Sequence, residues 1–190
     1  MEENAELQVA EREARIDACL QELSLDEKVF MCSGHGFLAH QGVEGRRYCE
    51  ILYPIGAGNE RLGIPHLLFG DGPRGIAKGN STCFPVPMAR GASFDIDLER
   101  RVGDAIGREL RAHGGNLFGG VCINLLRHPA WGRAQETYGE DPFLLGEMGA
   151  ALTRGVQHHN VVATPKHFAA NSIENAQTFA HYLRADAITG

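Results

Sequence analysis

Apolar positions recur with a helical period in two windows of the chain. Leu98, Val102, Ala105, Ile106 and Leu110 recur at the three- and four-residue offsets of a helix from Val102, which places them on one face and predicts a helix over 97–112. Asp95 stands where an N-cap acceptor belongs, and Gly114 where such a helix would stop. The second window, Phe143, Leu144, Met148, Ala151, Leu152 and Val156, follows Asp141 and Pro142. The aspartate suits the cap, and the fixed φ of proline suits the first helical turn. Residues 4–33 also read as helical, and Ser24-Leu25-Asp26-Glu27 fits a capping box ahead of Val29, Phe30 and Met31.

Between these segments lie apolar runs too short for helices. Ile64 to Phe69 is cut off by Gly70-Asp71-Gly72-Pro73, Asn116 to Ile123 follows the first amphipathic window, and Val161 to Thr164 follows the second. From Gly34 to Gly63 no period is sustained, so that stretch reads mostly as loop with a short strand near Ile51 to Tyr53. The order β-α-β-α-β predicts an α/β fold with a parallel sheet covered by helices. In such folds ligands gather at the carboxyl ends of the strands, where the connecting loops converge. Asp71, the segment from Asn124 to Arg133, Lys166 and His167 occupy those positions.

Composition narrows the classes. Hydrophobic residues make up 43% of the 190, enough for a packed core, and 22% are charged, as in ordinary globular chains. A formal net charge of −6 repels phosphate backbones and anionic lipid, so neither nucleic acid nor a membrane surface is an expected partner. Glycine contributes 24 residues, which implies many tight turns. The acidic start of the chain lacks the features of a signal peptide, and no window approaches a membrane span, so a cytoplasmic location is expected. Cys19, Cys32, Cys49, Cys83 and Cys122 are odd in number and irregularly spaced, which suits buried or free thiols better than disulfides or a zinc site.

Each candidate side chain has a plain structural account beside a chemical one. Asp71, flanked by glycines, could accept two hydrogen bonds from vicinal hydroxyls or satisfy its own turn. Lys166 and His167 are neighbours, which in an extended segment point to opposite sides unless the strand's end turns both toward one ligand. Arg133 lies in a long loop with Arg127, His128, Glu136, Tyr138, Glu140 and Asp141, where pairing with the carboxylates would brace the loop. Gly72 to Gly79 fails the phosphate-loop pattern at Ala77 and Gly79, and Gly56 to Arg61 fails the dinucleotide fingerprint. No His-Glu-x-x-His occurs, and His158-His159 fall near a helix end, where the dipole accounts for them, so neither a metal nor a cofactor is expected.

Taken in order, several segments resemble glycoside hydrolase family 3, the β-glucosidase-type enzymes. They are Arg61-Leu62-Gly63-Ile64-Pro65, Phe69-Gly70-Asp71-Gly72-Pro73-Arg74-Gly75, Thr82-Cys83-Phe84-Pro85, Ala92-Ser93-Phe94-Asp95, Ile123-Asn124 through Arg127, Gly132-Arg133, Glu136 to Pro142, and Pro165-Lys166-His167-Phe168. The resemblance runs from about Leu23 to about Asp186. It implies a (β/α)8 TIM-barrel-like domain and retaining hydrolysis of O-glycosyl bonds at non-reducing sugar ends. Carried over by position, it implies that Asp71 grips sugar hydroxyls while Arg133, Lys166 and His167 donate hydrogen bonds to the same ring. The implied partner is a small glycoside or oligosaccharide.

A full barrel takes roughly 250 residues, so residues 1–190 are expected to form a single incomplete barrel domain, with leading helices over 1–33 and β/α units over 64–186. Retaining chemistry needs two carboxyls about 5–5.5 Å apart. The family's attacking aspartate typically precedes a tryptophan, whereas the single tryptophan here, Trp131, follows Ala130. No catalytic residue is therefore assigned within the chain, and nucleophile and acid/base are expected beyond Gly190. An incomplete barrel would leave sheet edges unpaired, which favours self-association. The alternatives are a non-catalytic carbohydrate-binding or regulatory remnant, and a nucleotide-binding α/β protein, which the failed glycine motifs weigh against.

Overall fold

The computed structural model describes residues 2–34, 52–169 and 171–172. The chain divides into two compact units, Met1–Gly42 with Pro54–Leu67, and Val43–Tyr53 with Leu68–Gly190.

The first unit contains α1 (Glu2–Glu22), α2 (Leu25–Met31) and most of β1 (Tyr53–Gly56). The capping box forms as its residue types require: Ser24 Oγ accepts from Glu27 N at 3.2 Å, and Glu27 Oε2 accepts from Ser24 N at 2.8 Å. Glu27 also receives Arg61 Nη2 at 2.9 Å and Asn59 Nδ2 at 2.8 Å. Hydrogen bonds from Arg61, then from Ser24 and Asn59, lower its carboxyl to about 2. The strand expected from Ile64 to Phe69 begins later, as β2 (Leu67–Gly70). Ile64 bonds instead back to Asn59, N to O at 2.9 Å and O to N at 2.8 Å, around a tight turn over Glu60–Leu62. The strand expected near Ile51 to Tyr53 is displaced onto β1, and Ile51 lies outside the described residues.

In the second unit β2, β3 (Leu117–Cys122) and β4 (Val162–Lys166) run parallel, with Gly70 opposite Phe118, Leu117 opposite Val162 and Cys122 opposite Lys166. A short helix, α3 (Pro87–Gly91), precedes the two long helices α4 (Ile96–Ala112) and α5 (Pro142–Gln157). Asp95 and Asp141 cap these, accepting from Leu98 N at 2.8 Å and Leu144 N at 2.7 Å. Strand β3 is buried at every position, sandwiched as parallel strands require. Its Phe118 and Val121 join Val102, Ile106 and Leu110 of α4 and Leu152 and Val156 of α5 in one core.

One expected core position is wrong. Phe143 is 77% exposed, and Leu145 is buried in its place. The inner face of α5 follows Leu145, Met148, Leu152 and Val156, and at about 100° per residue Phe143 falls on the other side.

A buried ion pair ties the loops around this core. Arg90 of α3 reaches Glu99 of α4 through Nε at 2.7 Å and Nη2 at 3.0 Å, with both side chains almost wholly excluded from solvent. Arg90 also donates to the carbonyls of Pro73 and Pro85, and Tyr138 Oη donates to Glu99 Oε1 at 2.6 Å. Burial among these groups pushes the Tyr138 phenol well above its usual range. Among the described residues no helix is long and apolar enough to cross a membrane.

Candidate functional site

Asp71 follows β2 directly, in a turn whose geometry depends on glycine. Gly72 has φ +137°, and a Cβ there would lie 1.8 Å from the Gly75 carbonyl oxygen. Asp71 Oδ1 accepts from Gly72 N at 2.9 Å and from Lys166 Nζ at 3.0 Å, while the Asp71 carbonyl accepts from Ala77 N at 2.8 Å. The aspartate therefore serves its turn and still presents Oδ2, which has no hydrogen-bond partner among the described residues.

Lys166 ends β4, and Arg133 opens the short 3-10 turn Ala134–Glu136 in the long loop after β3. Glu136 grips the Arg133 guanidinium at two points, Nε to Oε1 at 2.9 Å and Nη2 to Oε2 at 2.6 Å. The third face of the guanidinium, Nη1, stands 3.1 Å from His167 Nε2. Asn124, just past β3, fixes that imidazole. Its Nδ2 donates to the His167 carbonyl at 3.1 Å, and its Oδ1 accepts from His167 N at 2.8 Å, which settles the orientation of the amide. Asn124 Oδ1 also lies 2.9 Å from His167 Nδ1. Nδ1 consequently carries the proton, and the Nε2 lone pair accepts from Arg133.

The electrostatics agree with this hydrogen-bond pattern. Burial first, then the charges of Arg133 and Lys166, lower His167 to about 4, so the ring is neutral at physiological pH. Burial would raise the Glu136 carboxyl, but the hydrogen bonds and charge of Arg133 outweigh it and hold the group below the usual glutamate range. Cys122, whose Sγ lies 3.5 Å from Glu136 Oε2, is pushed by burial up to about 12 and stays a thiol. Asp71 and Glu136 thus balance Lys166 and Arg133.

The structure brings Asp71, Arg133, Lys166 and His167 into one neighbourhood although they come from the carboxyl ends of three different strands and the loops that follow them. The bracing of Arg133 by a loop carboxylate is realised through Glu136. In the sequence Asn124 stands out only as part of a strand-end segment. Its role as the clamp of His167 had no local signal, because the partners lie 43 residues apart. Both nitrogens of His167 are engaged within the protein, Nδ1 with Asn124 Oδ1 and Nε2 with Arg133 Nη1. His128 is spent locally, its Nδ1 accepting from Ala130 N at 3.1 Å.

Comparison with known proteins identifies the architecture. Residues 51–183 match the model of the glycosyl hydrolase family 3 N terminal domain. Over 170 residues the chain is 33% identical to beta-glucosidase B of Emericella nidulans, covering 86% of this chain and 18% of that protein. It is 35% identical over 173 residues to thermostable beta-glucosidase B of Acetivibrio thermocellus, covering 84% of this chain and 21% of that one. The structure of beta-glucosidase 3B from Thermotoga neapolitana in complex with glucose superimposes with a TM-score of 0.74 at 32% identity, over 84% of this chain and 24% of that chain. The chain spans about a fifth of the length of these two sequence relatives. The parallel sheet, its covering helices and these matches together show that the chain belongs to glycosyl hydrolase family 3, as part of its N-terminal barrel domain.

Proposed function

We propose that this chain supplies the sugar-holding half of a retaining β-glucosidase-type hydrolase, with Asp71, Arg133, Lys166 and His167 gripping the non-reducing pyranose. The observation that carries this reading is the joined network at the strand ends, Lys166 Nζ to Asp71 Oδ1 at 3.0 Å and Arg133 Nη1 to His167 Nε2 at 3.1 Å. Asp71 Oδ2 accepts from one sugar hydroxyl while the remaining Lys166 N–H groups donate to its neighbour, a pattern that suits vicinal hydroxyls. A hydroxyl entering between Arg133 and His167 accepts from Nη1 and donates to Nε2, which one alcohol group can do at once. Selectivity follows because an isostere lacking a hydroxyl leaves a charged partner unsatisfied.

The Asp-Trp motif of the attacking carboxylate does not occur in the 190 residues. In our reading these residues alone hold sugar without turning it over, with a rate deficit on the order of 10⁴–10⁶-fold by analogy with loss of a nucleophile. Glucose titrated calorimetrically into the chain should give saturable binding, weakened at least tenfold in Asp71→Ala, and an aryl β-glucoside should not be cleaved at an enzymatic rate. Equal affinity in parent and variant would refute the role of Asp71, and ordinary turnover would refute the claim that the chemistry lies elsewhere.

A further inference from the structure

A second cluster of polar side chains lies on the helices, apart from the strand carboxyl ends. Asp104 sits midway along α4, and His158 and His159 follow the last turn of α5, ahead of the start of β4. His158 Nδ1 stands 2.8 Å and His159 Nε2 2.9 Å from the same oxygen, Asp104 Oδ1, and one ligand atom from each residue lies within 4.8 Å of the others. Sequence spacing gave no hint of this group, because the carboxylate is 54 residues from the nearer histidine.

We propose that Asp104, His158 and His159 bind one first-row transition-metal dication of the Zn²⁺ class, with water completing the coordination. The donor set is the first argument: two imidazoles and one carboxylate suit Zn²⁺, Co²⁺ or Ni²⁺ and are poor ligands for Mg²⁺ or Ca²⁺, which prefer all-oxygen shells. Size is the second. Metal–ligand bonds of about 2.0–2.1 Å at the tetrahedral angle put neighbouring ligand atoms about 3.3–3.4 Å apart, and the two nitrogen–oxygen separations of 2.8 and 2.9 Å fall short of that by only about half an ångström, a gap that small side-chain rotations close.

Rigidity is the third argument. Helices α4 and α5 approach so closely that a Cβ on Gly155 would lie 2.2 Å from the Arg100 carbonyl oxygen and 2.7 Å from Asp104 N. The ring of His159 packs over Gly107, where a Cβ would come within 3.1 Å of its Cδ2. Asp104 and His159 are thereby fixed by backbone packing, and both are partly shielded. His158, 75% exposed, leaves the group open to solvent on its side. The two hydrogen bonds from the histidines hold the Asp104 carboxyl below its usual range, so it is ionised as a ligand must be. Arg108 is the nearby cation, 3.7 Å away on the other carboxylate oxygen, and is itself largely exposed.

On binding, each ring nitrogen facing Asp104 gives up its proton, either to the ring's other nitrogen or, from a protonated ring, to solvent. The ion then staples the end of α5 to the middle of α4.

The metal-stripped chain should be titrated with ZnCl₂ near pH 7.5 by calorimetry, and with Co²⁺ followed by visible absorption. One saturable equivalent is expected, together with a rise in melting temperature. Asp104→Asn and His158→Ala should each weaken Zn²⁺ binding at least tenfold and abolish the melting shift. His158→Ala removes an exposed side chain and should leave the fold intact. Absence of binding, or binding that either variant leaves within tenfold of the parent, would overturn the site and identify the cluster as a histidine–aspartate hydrogen-bond group only.

Discussion

Replacing Glu99 with leucine should be among the most damaging single changes in the second unit. The substitution keeps volume roughly constant but leaves the Arg90 guanidinium, 2% exposed, with no counter-charge. It also removes the acceptor of the Tyr138 hydroxyl at 2.6 Å. Stranding one member of a buried pair costs about 3–5 kcal/mol, a large share of the roughly 5–15 kcal/mol by which a domain is stable. At about 2–4 °C per kcal/mol for a domain of 150–250 residues, the melting temperature should fall by about 6–20 °C. The triple variant Arg90→Met, Glu99→Leu, Tyr138→Phe removes the charges and the hydroxyl together, leaving only the carbonyls of Pro73 and Pro85 without their donor. It should regain much of the loss, because replacing a whole buried ionic group by apolar residues is often close to neutral. Urea and thermal denaturation of the three proteins measure the difference. A loss below about 1 kcal/mol in Glu99→Leu, or a triple variant no more stable than the single one, would show that the pair is better solvated than its burial implies.

Two further outcomes follow from the site's electrostatics. The His167 ring should titrate with a midpoint near 4 when followed by NMR. Because the folded value lies below the ordinary 6.5, the unfolded chain takes the proton first. The ring's contribution to stability is therefore full above about pH 6.5 and is lost as pH falls toward 4, and a midpoint near 6.5 would contradict the neutral, Arg133-facing ring. Cys122, buried and held as a thiol, should resist iodoacetamide at pH 8 in the native chain while the exposed Cys32 and Cys83 react, with mass spectrometry reading the labels. Labelling of Cys122 at the rate of Cys83 would mean that the loop above it opens readily.

The helices were legible because their information is local. Asp95 and Asp141 each cap the amide three residues on, and a stripe repeating every three or four residues is visible without knowing what it packs against. The start of β2 differs from the expected one because Ile64 is apolar enough for a strand yet is taken up by a turn closed from Asn59. Phe143 departs from its expected burial for a related reason: next to a true stripe, hydrophobicity alone does not reveal which side of the helix faces inward. The candidate site residues were found from their places at strand ends and from the family resemblance. Their supporting contacts were not foreseeable in that way. Asn124 clamps His167, Glu99 neutralises Arg90, and Asp104 meets His158, each through pairings that only the folded chain creates.

The internal pairing of the strand-end site also bears on how quickly a bound sugar would come and go. Asp71 and Lys166 are already in contact with each other, and so are Arg133, Glu136 and His167. If the proposed grip is right, an arriving pyranose would exchange these contacts for its own instead of rescuing lonely charges, and on its departure the side chains would close back onto one another. Such a resting state would shorten a monosaccharide's residence. A glucose-releasing enzyme with this arrangement would be spared much of the inhibition by its own product that an open, unpaired set of ions invites.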